Sequence, residues 1–338
     1  MELYLDSIKF DEVEEANKLG CIAGLTTTPT FLYREGITDF DAAILKLSKM
    51  VKLLHVEALG DTAEEIVKEA KRLLALGLDK NKTAFKVPVS LEGVKACKIL
   101  TDQGLQVNLH LIYTLQQAYM AFSAGATYVC ILVGRMQDQG HDALLLVEQC
   151  MKAIERYKYK TKIMFSSVRH VEHVRNAFNL GVHICTIPWN IMKQLPLNHF
   201  TDIGIKQFVD HTQLLTIKAG DIARTQHIKL NYHATILEAL ELMTKSKLGS
   251  IIILDDKDNI YRIFTDGDLR RSIEFGLKDV IHAKLSELES NTPVAINSDA
   301  SLMDITRIFK EKKVDNIIVT ENNQPVGIVD IQDVIKWI

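Results

Sequence analysis

Apolar and polar residues follow two different rhythms along the chain, and the change falls near residue 200. In the first part, short apolar runs alternate with amphipathic stretches. The runs ELYLDS (2–7), AGLTTTP (23–29), LLHVEAL (53–59), TAFKVPV (83–89), VNLHLI (107–112), TYVCILVG (127–134), KIMFSSV (162–168) and ICTIPW (184–189) read as strands. Between them lie segments such as TAEEIVKEAKRLLAL, with apolar residues at helical spacing. Eight strands separated by helices predict parallel pairing through βαβ crossovers. The count predicts an α/β fold closed into a (β/α)8 TIM barrel, with an open doubly wound sheet as the alternative. Neither G-x-G-x-x-G nor a Walker A loop supports that alternative.

After about residue 218 the order becomes helix, strand, turn, strand, helix. It runs ATILEALELMTKSK, GSIIILDD, KDN, IYRIFTD, GDLRRSIEFG, and recurs as SLMDITRIFKEKK, DNIIVTE, NNQ, PVGIVD, IQDVIKW. Each unit is too small to bury a sufficient core alone, so the two are expected to pack as a pair. The expected domains are a barrel over 1–215 and a pair over 216–338, with units of about 216–280 and 281–338. The segment HFTDIGIKQFVDHTQLLTIKAG (199–220) is expected to hold the last barrel helix and a linker.

Composition narrows the function classes. The 338 residues are 47% apolar and 25% charged, with a formal net charge of −3, which is ordinary for a globular protein and offers no basic footprint for nucleic acid. The first residues lack the basic-then-apolar layout of a signal peptide, and no run approaches the length of a membrane span. Cysteines 21, 97, 130, 150 and 185 are widely spaced, with no C-x-x-C, so free thiols in a reducing, cytoplasmic setting are expected. The histidines show no H-x-x-x-H or H-E-x-x-H pattern for zinc.

Strand parity then exposes an anomaly. In TAFKVPV, Phe85 and Val87 share one face and Lys86 lies on the other. If the bulky apolar face packs under the outer helices, Lys86 points into the barrel. The same test sends Leu54 and Val56 outward with His55 and Glu57 inward. It sends Val107, Leu109 and Leu111 outward with Asn108 and His110 inward, and Leu3 and Leu5 outward with Tyr4 and Asp6 inward. A lone inward lysine is satisfied by a buried salt bridge. Two carboxylates, an amide and an imidazole gathered with it favour chemistry instead. Desolvation is expected to lower such a lysine's pKa, and its free amine attacks a carbonyl to form a Schiff base, with Glu57 and Asp6 as candidate bases.

The barrel segment resembles the transaldolase family, especially its short branch that includes fructose-6-phosphate aldolase. The resemblance rests on MELYLDS, GLTTTPT (24–30), FKVPVSLEGVKACKIL (from 85), NLHLIYTLQQA (from 108), LVGR (132–135) and SSVR (166–169), in order and at similar spacing. It implies a class I lysine enzyme that needs no metal or cofactor and acts on a sugar phosphate. The family's Schiff-base lysine falls on Lys86, its first-strand aspartate on Asp6, and its water-positioning glutamate or glutamine on Glu57. The family's fifth-strand asparagine falls on Asn108, its phosphate arginine on Arg135, and its later Ser-x-Arg/Lys pair on Ser167 and Arg169. Arginine forks at the ends of strands six and seven suit phosphate oxygens. Two positions depart from the family. Its T-T-N-P reads Thr26-Thr27-Thr28-Pro29 here, placing Thr28 where an asparagine binds a substrate hydroxyl, and His110 replaces a threonine that holds the catalytic water. His110 is expected to act as hydrogen-bonder or base, or to fill the water's space. Cys130 stands where serine is common and reads as a small core residue.

The tail resembles a CBS-domain pair, most clearly in IFTDGDLRR (263–271), with IVDIQD (328–333) at the equivalent place. The resemblance implies that an adenine or other nucleotide binds at Thr265 and Asp268, with Asp333 as the second unit's counterpart. Asp330 stands where a phosphate-binding hydroxyl would be, which predicts at most one working site. Together these readings predict a cytoplasmic, homo-oligomeric enzyme that transfers or cleaves a three-carbon dihydroxyacetone unit, with no nucleic-acid or membrane partner. Aldol cleavage is the near alternative, and a catalytically weak barrel serving as a nucleotide-sensing scaffold is the alternative from another class.

Overall fold

A computed structural model describes residues 1–274, 279–288, 292–335 and 337. The last residues of GDLRRSIEFG (275–276) and position 336 in IQDVIKW lie outside the described residues. The chain divides into two compact units, 1–197 and 198–338. The helix His199–Thr216, expected with the barrel, falls in the second unit.

In the first unit eight parallel strands close into a barrel in sequential order. They are β1 (Glu2–Asp6), β2 (Ile22–Thr26), β3 (Leu54–Glu57), β4 (Thr83–Pro88), β5 (Gln106–Ile112), β6 (Tyr128–Leu132), β7 (Lys162–Ser166) and β8 (Ile184–Ile187). Pairing of β1 with β8 closes the ring. Helices follow because the connecting segments are amphipathic and start on good caps. Thr62 and Thr114 each form a reciprocal capping box with Glu65 and Gln117, and Ser90 and Asp142 each accept from a first-turn backbone N–H. The apolar strand face packs under the helices: Leu5, Leu54, Val56, Phe85, Val87, Val107, Leu109, Ile131 and Phe165 share one core with the helices' inner residues. The barrel floor is a second cluster of Tyr4, Ala84, Tyr128, Cys130, Met164 and Ile184.

Strand parity fails at one expected position. Leu111 does not face outward; it lines the barrel's cavity, while Ile112 takes the fully buried place. The cause is a register shift on β5 between Leu109 and Ile112, with Leu111 in the left-handed region at φ 58°. A left-handed leucine is uncommon, and the kink lies directly after His110.

The second unit holds two three-stranded sheets. One comprises β9 (Lys229–Asn231), β10 (Ser250–Leu254) and β11 (Ile260–Thr265), the other β12 (Ala295–Asn297), β13 (Asn316–Glu321) and β14 (Gln324–Asp330). In each, a parallel pair is followed by an antiparallel hairpin, the structural form of the repeat. Ile228, Leu248, Ile252, Ile318 and Ile328 form one cluster across both sheets, which is why the units pack as a pair. Helix His199–Thr216 buries none of its residues in this chain, although Leu214 packs partly on the second sheet's core. No helix among the described residues is long and apolar enough to cross a membrane.

Candidate active site

Register aligns the inward polar residues. Glu57 pairs with Lys86 and Lys86 with Asn108 across β3, β4 and β5; Asp6 pairs with Thr26 and Thr26 with His55 across β1, β2 and β3. Asp6, Thr26 and Glu57 end their strands, at the carboxyl end that carries chemistry in this fold; Lys86 lies two residues inside the end of β4, and Asn108 and His55 lie deeper. A cavity of about 570 Å³ opens there, lined in part by Asp6, Thr26, Thr28, Glu57, Lys86 and His110.

Lys86 is 4% exposed. Its Nζ lies 2.9 Å from Glu57 Oε1 and donates to the Thr27 carbonyl at 2.6 Å. On the other side of the same carboxylate, His110 Nε2 lies 2.9 Å from Glu57 Oε2, a close approach whose angle falls outside hydrogen-bond geometry. Burial pushes the Glu57 carboxyl up, but the Lys86 ammonium and His110 outweigh it and hold the group at about 2. Burial lowers His110, against the pull of Glu57. Asp6 moves the other way: burial raises its carboxyl, opposed by Lys86 and by the Thr26 hydroxyl, which donates to Oδ1 at 2.9 Å. Two nearby carboxyls are thus driven apart in acidity.

The cavity rim carries Arg135 and Arg169, from just beyond β6 and β7, together with Ser167. Arg135 donates to the Tyr113 hydroxyl at 3.0 Å, and Arg169 pairs with the exposed Asp138 at 3.1 Å. The backbone of Ser167 is left-handed at φ 61°. Gly134 lets these two loops meet, since a Cβ there would stand 1.8 Å from the Ser167 carbonyl oxygen.

Asn108 takes a different place from the other expected residues. It is fully buried and does not line the cavity. Its amide nitrogen lies 3.0 Å from His55 Nδ1, and the imidazole sits between the rings of Tyr4 and Tyr128. Burial lowers His55 to about 3, so the ring is neutral and Nδ1 accepts from the amide. Asn108 Oδ1 and His55 Nε2 have no hydrogen-bond partner. Cys130 is buried against the floor, and burial raises its thiol to about 11, which suits a packing residue. Residues not expected from the sequence also line the cavity: Thr30, Phe31, Arg34, Leu111, Ser166 and Thr186. The Thr186 hydroxyl lies 2.5 Å from that of Thr26, and a threonine in an otherwise apolar eighth strand was the available signal.

In the second unit, Asp268 Oδ2 accepts from the Thr265 backbone N–H and hydroxyl, both at 2.8 Å. Its Oδ1 lies 2.7 Å from Arg271 and 3.1 Å from the buried Arg262. Asp333 is held in a bidentate pair by Arg224 at 2.9 and 2.8 Å.

Comparison with known proteins fits both units. Residues 3–243 match the model of the Transaldolase/Fructose-6-phosphate aldolase family. Residues 219–274 and 285–338 match the CBS domain, so the first CBS match begins inside the span of the larger one. A probable transaldolase 2 of Bacillus cereus is 38% identical over 213 residues, 62% of this chain and 96% of that protein. A probable transaldolase of Thermoanaerobacter sp. is 37% identical over 209 residues, covering 62% and 95%. Among solved structures, a CBS-domain-containing protein of Agrobacterium tumefaciens matches 37% of this chain and 96% of its own, at 20% identity and a TM-score of 0.34. With its family match spanning well over half its length, the chain belongs to the transaldolase/fructose-6-phosphate aldolase family and carries a CBS pair after its barrel.

Proposed function

We propose that the barrel is a Schiff-base enzyme that transfers a three-carbon dihydroxyacetone unit between sugar phosphates. The observation that carries this reading is Lys86, a buried amine at the cavity wall between the Glu57 carboxylate and the Thr27 carbonyl. Lys86 gives up its proton and attacks the ketone carbon of a ketose. The carbinolamine loses water and leaves an iminium. The C3–C4 bond then breaks: a base takes the C4 hydroxyl proton, the aldehyde half leaves, and the bonding pair moves into the iminium to give an enamine. In transfer, the enamine carbon attacks an acceptor aldehyde, the new alkoxide takes the proton back, and water hydrolyses the iminium to restore Lys86. Release of the three-carbon unit before an acceptor arrives gives the aldolase reaction with the same groups.

Asp6 is the proton carrier in this reading, because burial favours its protonated form while Glu57 is held ionised. Glu57 stays ionised and balances the iminium charge. His110 occupies the far side of Glu57, where its neutral ring relays protons or replaces a water. Arg135, Arg169 and Ser167 receive the substrate's phosphate, and Thr26 and Thr28 face its hydroxyls. Asn108 acts from beneath the cavity, through the inner wall.

Incubation with a panel of phosphorylated ketoses and borohydride is expected to leave a reduced adduct on Lys86, read by intact mass and peptide mapping. No adduct from any ketose would sink the reading.

The CBS pair is proposed to bind an adenine or other nucleotide at Thr265 and Asp268, supported by the carboxylate's position at a helix start beside two guanidinium groups. Asp333, tied to Arg224, is the second unit's counterpart. Asp268→Asn is expected to lower calorimetric affinity for adenine nucleotides at least about 10-fold, the scale of one charge-assisted contact. Unchanged titration in a variant with an unchanged melting curve would remove this site.

A further inference from the structure

The cavity holds one cation that the single phosphate site does not use. Four cations line it, Lys86, Arg34, Arg135 and Arg169, against two carboxylates, Asp6 and Glu57. Lys86 accounts for Glu57. Asp6 lies close enough to Lys86 for the ammonium to oppose its protonation and is bonded by Thr26. Arg169 has Asp138. Among the described residues, Arg34 and Arg135 have no carboxylate at ion-pair distance. Even Glu35, next to Arg34, is engaged by Lys9 at 3.1 Å.

The two unneutralised guanidinium groups stand on opposite sides. Arg34 ends the short helix Pro29–Arg34 that follows β2, and Arg135 follows β6. Sequential closure of eight strands sets β2 and β6 four places apart, across the mouth from each other. Strand spacing and tilt make such a barrel roughly 15 Å wide between backbones. Both arginines are exposed and both line the cavity, and the span between opposite walls suits a short carbon chain. Lys86, on β4, lies between the two walls, and its bond to the Thr27 carbonyl turns the amine toward the β2 side. Thr28 and Thr30 line the same cavity and precede Arg34 on the segment after β2.

We infer that this cavity takes a ketose anionic at both ends, so that the three-carbon unit held on Lys86 carries an anion of its own instead of being plain dihydroxyacetone. The far phosphate sits on Arg135 and Arg169, and a second terminal anion, on the carbon next to the ketone, sits on Arg34 beside Thr28 and Thr30. The inference rests on the Schiff-base reading for the placement of the ketone. Thr28 fits it: a short hydroxyl leaves room for a substituent where the family's asparagine binds a bare hydroxyl.

The test measures half-saturating concentrations for borohydride trapping on Lys86 in the full chain. The probes are a ketohexose phosphorylated at the far end only, its bisphosphate, and a 2-keto sugar acid phosphate with a carboxylate in place of the second phosphate. The wild type is expected to saturate at an at least about 10-fold lower concentration with a doubly anionic probe, the scale of one charge-assisted contact. The better of the two doubly anionic probes identifies the second anion as phosphate or carboxylate. Arg34→Gln is expected to erase that preference while shifting the singly phosphorylated probe less than about 3-fold. No preference in the wild type, or equal weakening of all probes by Arg34→Gln, overturns the subsite. If no probe traps, the Schiff-base reading falls instead. The subsite is then decided by calorimetric titration with a hexitol bisphosphate and its monophosphate: a preference lost in Arg34→Gln upholds it, and equal binding overturns it.

Discussion

Lys86→Met is expected to abolish borohydride-dependent adducts and to lower turnover by about 10⁴-fold or more, the scale of losing a covalent nucleophile. The variant deletes the only lysine on the cavity wall among the described residues. It also removes the charge that opposes burial at both carboxyls, so Glu57 and Asp6 both become weaker acids. Lys86→Arg separates the two roles. It keeps a cation beside Glu57 but offers no amine that can form an imine, so it should be as inactive as methionine while disturbing the carboxyls less. Turnover within about 10-fold of wild type in either variant would rule out the proposed chemistry.

Glu57→Gln carries the second large effect, on activity and on stability. Loss of the charge proposed to balance the iminium should reduce turnover by about 10²- to 10³-fold, the scale of one preorganised electrostatic group. The buried Lys86 would then lack its counter-charge, and removing one partner of a buried pair destabilises by about 3 kcal/mol or more. The pH dependence has a definite sign. Glu57 is held at about 2 in the folded barrel against an ordinary 4.5, so its stabilisation is complete above about 4.5 and is lost as pH falls toward 2. That shift corresponds to about 3 kcal/mol. Asp6 works oppositely: its raised carboxyl weakens the fold near neutrality and ceases to do so on acidification. Comparing wild type with Glu57→Gln isolates the Glu57 contribution. Amide exchange on the barrel strands should show acid-induced opening in the wild type that is smaller in the variant. An identical acid response in both would contradict the assigned charge on Glu57.

The alternation of apolar and polar residues carried most of the barrel, because a buried apolar face enforces a period of two on every strand. That same constraint made Asp6, Glu57, Lys86 and His110 legible as inward residues before any contact was known. Leu111 escaped it, since a left-handed backbone at one residue reverses facing without changing composition. Asn108 does point inward, but parity says nothing of depth along the barrel axis, and the residue bonds His55 below the cavity. Arg34 was missed for another reason. It lies on a short helix beyond the strand, where strand parity has no meaning and only the closed ring shows what it faces. Helix His199–Thr216 exposes Phe200, Ile205 and Phe208, so its pattern marks no inner face in this chain, and its grouping with the second unit was not readable from residue types.

The contact at Gly134 has a consequence for redirecting the enzyme toward other sugars. Because the Ser167 carbonyl fills the space where a side chain would stand, the loops after β6 and β7 cannot be varied independently. A library that randomises position 134 will be dominated by members in which the Ser167 backbone has been levered away, taking Arg169 with it. Grafting both segments as a single cassette, with the glycine held constant, is the smallest exchange that carries over the proposed phosphate clamp.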